Sequence, residues 1–166
     1  MDHLILRHNR RRIVFLQGPS ENEDSYWREY GYRERLQAHG LPFDPALIGL
    51  GDFSEEQAYK TVQRMLMDGV HMDAIFAGDD ESAIGAIRAL RQSGVRVPED
   101  VSVVGFDDIP LSAYFSPALT TVKAPIEQVG RQAVRQLLSL ISHQPANPLT
   151  LLHTELVIRH SCGCPV

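Results

Sequence analysis

Residues 101–122 constrain the fold of this chain more than any other part of its sequence. An apolar run at 101–106 leads directly into two carboxylates, Asp107 and Asp108, and a proline-bounded segment then leads to a second short run at 120–122. Short apolar runs of this kind predict buried strands. Because ligands bind at the carboxyl ends of the strands in an open α/β sheet, the acid pair is placed to meet a polar group.

The rest of the chain alternates short apolar runs with segments of helical periodicity. This alternation predicts an α/β fold, a parallel sheet with helices on both faces. The predicted strands also include 13–16, a weak strand near 47–50, 74–77 and 153–158, and the predicted helices are 24–39, 55–67, 81–92 and 126–141. Rossmann-like, flavodoxin-like and periplasmic-binding-like strand orders fit this pattern equally well.

Composition narrows the class of protein. With 166 residues the chain is long enough for one domain with a real core. Its formal net charge of −5, from 16 basic and 21 acidic residues, argues against a nucleic-acid-binding surface. We interpret the basic cluster at 7–12 as a solvated helix end. The absence of a long apolar run and of a secretory leader predicts a cytoplasmic protein with no membrane contact.

The chain carries no recognisable catalytic motif. Its histidines form no metal-binding spacing, and neither a phosphate-binding loop nor a G-x-G-x-x-G sequence occurs. The two cysteines, Cys162 and Cys164, stand in a C-x-C arrangement near the C-terminus, which differs from the C-x-x-C spacing of redox and zinc motifs. We therefore expect a frayed tail with free thiols, no metal site, no cofactor, and a binding protein in preference to an enzyme.

Four acids follow predicted strands. At the start of the third helix we expect Asp80 to be the N-cap, which leaves Asp79 to face the cleft. Adjacent acids in an extended segment point to opposite sides, so only one of the second pair can face a given ligand. We predict that Asp107 accepts hydrogen bonds from the ligand and that Asp108 caps or bridges the turn at 110–116.

Two further residues are weaker candidates on periodicity alone. Arg28 lies about one turn into the first helix, where an arginine is commonly just exposed. Phe53 precedes the second helix, where a lone aromatic is commonly a core contact, although it could also stack on a ring. The sequence from Ser54 to Gln57 has the pattern of a capping box.

Several motifs resemble the LacI/GalR family of transcriptional regulators. Residues 97–108, VPEDVSVVGFDD, are similar to the family's most specific signature, and residues 116–122, SPALTTV, are similar to the motif that follows it. Residues 73–77, DAIFA, with the acid, alanine and glycine that come after them, match a third family motif. The match extends over essentially the whole chain, although Asn9 and Arg10 stand where Gly-His is usual.

The resemblance implies a periplasmic-binding-protein-like (type I) C-terminal lobe. Residues 1–124 would form the lobe, 125–148 a helix that packs on an N-terminal lobe not contained in this chain, and 149–166 the final strand and tail. Such a sensor binds a small effector, a sugar or a purine-like molecule, in an interlobe cleft. It acts as a homodimer on operator DNA through a headpiece that is also missing here. The apolar face of the helix would be covered by a neighbouring chain, or by this lobe in a different position.

The resemblance also implies a ligand site without metal or catalytic residues. Its six members would be Arg28, Asp107, Phe53, Asp79, Asn22 and Asp24. Arg28 would donate to the effector, Asp107 would accept from it, and Phe53 would stack on or bound its ring. Asp79 would line the same cleft, while Asn22 and Asp24 would tune specificity.

Two alternatives to this function stay open on the sequence. The same lobe could serve another output, such as a signalling enzyme or a transport-type binding protein. Less favoured is an enzyme in which the four strand-end acids hold Mg²⁺.

Overall fold

The computed structural model describes residues 1–145 and 149–165, and it confirms the predicted α/β class. The strands are β1 Ile13–Gln17, β2 Ile48–Leu50, β3 Ala74–Ala77, β4 Ser102–Phe106, β5 Thr120–Lys123 and β6 Glu155–Val157. The α-helices are α1 Glu23–Ala38, α2 Glu55–Met67, α3 Asp80–Gln92, α4 Pro110–Tyr114 and α5 Ile126–Ile141. A π-helical turn, His3–Arg7, precedes β1, and short 3₁₀ turns occupy Pro45–Leu47 and His160–Cys162.

The six strands form one sheet in the order β2-β1-β3-β4-β5-β6. The first five are parallel, and β6 is antiparallel to β5 at the edge, so the prediction of a parallel sheet holds for five strands of six. The order of the five parallel strands is the flavodoxin-type doubly wound order and excludes the Rossmann order. The strand order reverses between β1 and β3, which puts the crevice of this fold outside the carboxyl ends of those two strands.

Apolar side chains fill both faces of the sheet, as expected for helices on two sides. One core lies between the sheet and the pair α2 and α3. The other lies beneath the π-turn and α1, where Tyr32 stacks on Phe15 and donates its hydroxyl hydrogen to the Ile13 carbonyl. None of the helices in the described part of the chain is both long and apolar enough to cross a membrane.

The helix starts follow the sequence with two corrections. Asn22 and Ser54 cap α1 and α2 by accepting from main-chain amides. The cap of α3 is Asp79, which accepts from the Ser82 amide at 3.1 Å, and not Asp80 as the sequence suggested. The capping box is only half formed, because the Gln57 side chain bonds to the next turn of α2 instead of returning to the cap.

The helix α5 has the predicted bounds, yet none of its residues is buried. Six of its apolar side chains are more than half exposed: Ile126, Val134, Leu137, Leu138, Leu140 and Ile141. Whether a neighbouring chain or this lobe in a different position covers this apolar face stays a prediction. The predicted segment 125–148 ends at residues 146–148, which lie outside the described part of the chain.

The C-terminal tail is packed against the sheet. The frayed tail predicted from its position at the end of the chain is therefore wrong. Ser161 and Cys162 are fully buried. Ser161 accepts from the Thr120 amide and donates to the Val103 carbonyl, so one hydroxyl ties the tail to both β4 and β5. Hydrogen bonds to two strands of the sheet hold a segment that has too few apolar residues to predict burial.

Helices α2 and α3 pack so closely that a glycine is required between them. A Cβ atom at Gly85 would overlap the main-chain carbonyl oxygen of Glu55, whereas a Cβ at Gly31, in α1, would meet nothing within 4 Å. Both glycines lie inside helices and share the same intrinsic penalty relative to alanine.

We therefore predict opposite effects for two matched substitutions. Gly85→Ala should destabilise the chain by about 1–3 kcal/mol because the backbone of α2 must move. Gly31→Ala should stabilise it by about 0.5–1 kcal/mol because only helix propensity changes. Urea unfolding followed by circular dichroism measures both, and equal changes of the same sign would contradict the close approach of the two helices.

Candidate ligand-binding site

A cavity of about 730 Å³ lies on the α1 face of the sheet, between α1, the ends of the central strands and α5. The residues that line it from these elements include Asp24, Trp27, Arg28, Phe76, Phe106, Asp107, Ile126, Val129, Gln132 and Gln136. Its size is that of a typical small-molecule site, with mostly apolar walls and a few polar groups.

Arg28 and Asp107 meet at the strand end of this cavity. The guanidinium lies 3.6 Å from the Asp107 carboxylate and 3.9 Å from that of Asp24, one turn earlier on α1. Its Nη1 donates to the carbonyl oxygen of Gly78 at 2.9 Å, immediately after β3. The arginine therefore reaches the point where the strand order reverses.

Aromatic rings hold the guanidinium in place. It lies 4.1 Å from the centroid of the Phe106 ring and 5.3 Å from that of Phe53. The Arg28 side chain is only 14% exposed. Contacts with two rings, two carboxylates and a carbonyl fix its position before any ligand arrives, which reduces the conformational entropy lost on binding.

Asp107 is held in an unusual conformation at the end of β4. Its φ of 109° lies in a region of backbone conformation that residues other than glycine rarely adopt. Its amide donates to the Val122 carbonyl at 2.8 Å. Burial raises the pKa of Asp107 to about 6, and the carboxylates of Asp80, Asp79 and Asp24 act in the same direction, while the positive charge of Arg28 opposes them. Backbone strain and a raised pKa are both typical of functional positions.

The neighbouring acid, Asp108, was predicted to cap or bridge a turn, but it forms an ion pair instead. It pairs with Arg159 of the C-terminal tail at 2.7 Å, and both side chains are mostly buried. It does not bridge the turn at 110–116. The two acids face different partners, as predicted, but not through the alternation of an extended strand, because both have a positive φ, 109° at Asp107 and 56° at Asp108.

The turn after Asp108 is held by Asp80, a role that the sequence analysis missed. Asp80 is completely buried, and its carboxylate accepts from the Ile109 amide and from the hydroxyls of Ser112 and Thr121. Burial raises its pKa, and the three hydrogen bonds oppose that shift. No periodicity predicts these bonds, since the partners lie about 30 and 40 residues away.

The structure brings three of the six predicted site residues to the cavity wall: Arg28, Asp107 and Asp24. Phe53 lies behind Arg28 and contacts it, Asp79 is buried as the cap of α3, and Asn22 is the exposed cap of α1. Direct ligand contact by any of the six residues stays a prediction. Sequence reasoning overlooked Phe106, although its place directly before the acid pair was a signal that it ends the strand at the site.

The four strand-end acids do not converge on one point. Asp79 accepts from the first turn of α3, Asp80 from the three donors of the turn, Asp107 faces Arg28, and Asp108 faces Arg159. A magnesium site needs several oxygens directed at one ion. The arrangement therefore offers no support for the magnesium-dependent enzyme.

The sequence matches the family of periplasmic binding protein-like domains over residues 1–162. A similar protein is the HTH-type transcriptional regulator CelR of Thermobifida fusca, 38% identical over 152 residues that cover 91% of this chain and 45% of the relative. This chain thus spans about half the length of the curated relatives it matches.

Solved structures of the same kind superpose closely on the fold. The transcriptional regulator CelR–cellobiose complex matches with a TM-score of 0.89 and 37% identity, covering 95% of this chain and 48% of the other. The lac repressor dimer bound to operator and the anti-inducer ONPF matches with a TM-score of 0.91 and 32% identity, covering 97% and 48%. These findings confirm the resemblance seen in the motifs. The chain belongs to the periplasmic binding protein-like domain family, in the group that includes the LacI-type transcriptional regulators.

Proposed function

We propose that this chain is the C-terminal lobe of the effector-binding domain of a LacI-type transcriptional regulator. A small polar effector, a sugar or a purine-like molecule, binds where Arg28 and Asp107 meet. The observation that carries the proposal is this pair itself, an oriented donor and a carboxylate acceptor at the strand ends of a cavity. The cellobiose bound by the CelR relative supports a sugar.

The chemistry of the pair suits a ligand that carries several hydroxyl or amide groups. The Asp107 carboxylate accepts hydrogen bonds, and the guanidinium of Arg28 donates them, so neighbouring groups of one ring can be bound together. Trp27 and the edge of Phe106 provide apolar surface for the faces of the ring. Asp24 adds a second, more exposed acceptor, and Asn22, Asp79 and Phe53 shape the surroundings.

Binding controls transcription through a shift between two conformations of a homodimer. The effector closes the cleft against a second lobe, which changes how a separate headpiece contacts operator DNA in the cytoplasm. A tenfold shift needs about 1.4 kcal/mol of differential affinity. One charge-assisted hydrogen bond contributes about 1.5–3 kcal/mol, so a single bond from Arg28 or Asp107 that forms in only one of the two conformations is sufficient. The chain binds its ligand without transforming it.

The mass of the native gene product tests the regulatory output. A product about twice as large as this chain, with an N-terminal DNA-binding segment, supports the regulator. A product no larger than this chain would overturn the proposed regulator. A product with a different added domain would indicate signalling or transport and would leave the proposed ligand site unaffected.

Asp107→Asn and Arg28→Gln should each reduce effector affinity more than tenfold in the complete gene product. Each substitution removes a charged partner; Asn keeps the shape of Asp107, and Gln is shorter than Arg28 but stays polar. Isothermal titration calorimetry with cellobiose, glucose and adenine measures the affinity. Asp68→Asn, at an exposed position beyond α2, is the matched control and should bind like the parent protein. Equal affinities in all three variants would contradict the site.

Effector affinity should also depend on the ionisation of Asp107. With a pKa of about 6, its carboxylate is charged at pH 7.5 and mostly protonated at pH 5, so affinity should fall as the pH falls through 6. The carboxyl ¹³C resonance of Asp107 in the chain without ligand reports this pKa directly. Arg28→Gln should raise the pKa further because a stabilising positive charge is removed. A midpoint near 4 in the parent chain would refute the prediction.

A further inference from the structure

Four side chains, two from each end of the chain, lie close together in the fold. They are His3 and His8, at either end of the π-turn, and Cys162 and Cys164 of the tail. One potential ligand atom from each lies within 4.8 Å of the other three. None of these residues lines the Arg28–Asp107 cavity.

Four of the six distances between these atoms are close to those of a tetrahedral zinc shell. The Nε2 atoms of the two histidines are 3.2 Å apart, and His3 Nε2 lies 3.4 Å from Cys162 Sγ and 3.6 Å from Cys164 Sγ. His8 Nε2 lies 3.4 Å from Cys164 Sγ. Zinc bond lengths in a regular tetrahedron require roughly 3.3 Å between two nitrogens and roughly 3.6 Å between nitrogen and sulfur.

Hydrogen bonds alone do not explain this convergence. His3 Nε2 has three polar neighbours within 3.6 Å, yet a ring nitrogen has a single hydrogen to donate or a single lone pair to accept with. The Cys162 thiol has another weak acceptor, the Arg159 carbonyl at 3.4 Å. A cation at the centre satisfies all four atoms at once.

The local backbone is built to present these four side chains. On an α-helix, residues five apart lie about 140° from each other around the axis. The π-turn His3–Arg7 pairs positions i and i+5 and so brings His3 and His8 to one side. Gly163, between the cysteines, has a φ of 99°, which lets the tail turn so that both sulfurs face the histidines.

Hydrogen bonds around the cluster fix it to the sheet. The Ser102 hydroxyl of β4 donates to the Cys162 carbonyl at 2.8 Å and accepts from Arg10 Nε at 3.0 Å. Arg10 also donates to the Pro98 carbonyl. These bonds hold the segment before β1 and the tail after β6 in fixed positions relative to each other. The four side chains are therefore oriented by their surroundings.

We propose that His3, His8, Cys162 and Cys164 bind one Zn²⁺ ion that fastens the tail to the segment before β1. Two imidazoles and two thiolates suit zinc, and binding releases the protons of both thiols. Four protein ligands leave no open coordination position, so the site is structural and not catalytic. Cysteine spacing along the chain argued against a metal, because the histidines that complete the set come from the opposite terminus.

The test uses the untagged 166-residue chain, reduced and freed of metal with a chelator. It should bind one Zn²⁺ per chain in competition with a chromogenic chelator. Co²⁺ in place of zinc should give the visible bands of a tetrahedral ion and a thiolate charge-transfer band in the near ultraviolet. Zinc should also raise Tm by several degrees, since only the folded chain presents the complete site. Absence of thiolate bands, or of stoichiometric binding, would overturn the proposal.

Three variants separate this site from incidental metal binding. Cys164→Ser and His8→Asn change half-buried residues, and each should weaken zinc binding by about 100-fold or more. His71→Asn changes an exposed histidine elsewhere and should bind zinc like the parent chain. Unchanged zinc affinity in Cys164→Ser or His8→Asn would show that the cluster is not the site. No effector is needed, so the outcome is independent of the proposed function.

Discussion

The buried carboxylate of Asp80 is the interaction on which the arrangement of the ligand site depends. It lies at the start of α3 and accepts from the Ile109 amide and from hydroxyls of Ser112 and Thr121, so one side chain joins a helix, a strand and the turn between β4 and β5. A carboxylate without a counter-ion is costly to bury, and only a full set of donors makes it tolerable. Because these donors fix the turn, they also fix the strained backbone of Asp107 just before it.

The two adjacent acids before this turn form ion pairs with different parts of the molecule. Asp107 turns toward Arg28 in the cavity, while Asp108 turns toward Arg159 in the tail. Arg159 also donates to the Leu119 carbonyl, and three residues later the tail reaches Cys162 of the proposed zinc site. The ligand site and the ends of the chain are therefore parts of one hydrogen-bonded framework around β4 and β5, in which a fixed tail restrains Asp108 and thus its neighbour.

Local pattern predicted the elements well because strands and helices here follow apolar periodicity. The bounds of α2, β3 and α5 agree with the sequence to the residue, and most other ends differ by one or two residues. The choice of cap at α3 was wrong because the sequence shows two suitable acids, whereas the decision between Asp79 and Asp80 depends on donors contributed by a distant turn.

The difference between local pattern and contacts from distant segments also explains how much of the candidate site could be predicted. Asp107 was predicted from its place at the end of a strand and Arg28 through motif resemblance, and the structure brings them together in one cavity. The burial of the tail and the meeting of Cys162 with His3 could not be foreseen, since contacts between the two ends of a chain leave no periodic signal in either segment.

The position of α5 links the fold to the function of the site. An isolated helix of this length is marginal in water, and α5 buries no residue against the lobe that carries it. Its apolar side chains, such as Leu137 and Ile141, are more than half exposed, so their burial against a further surface would be favourable. Yet Ile126, Val129 and Gln132 of the same helix form one wall of the cavity above Arg28. A movement of α5 would therefore change the distance between that wall and the Arg28–Asp107 pair, and a ligand that contacts both would bind with a different affinity.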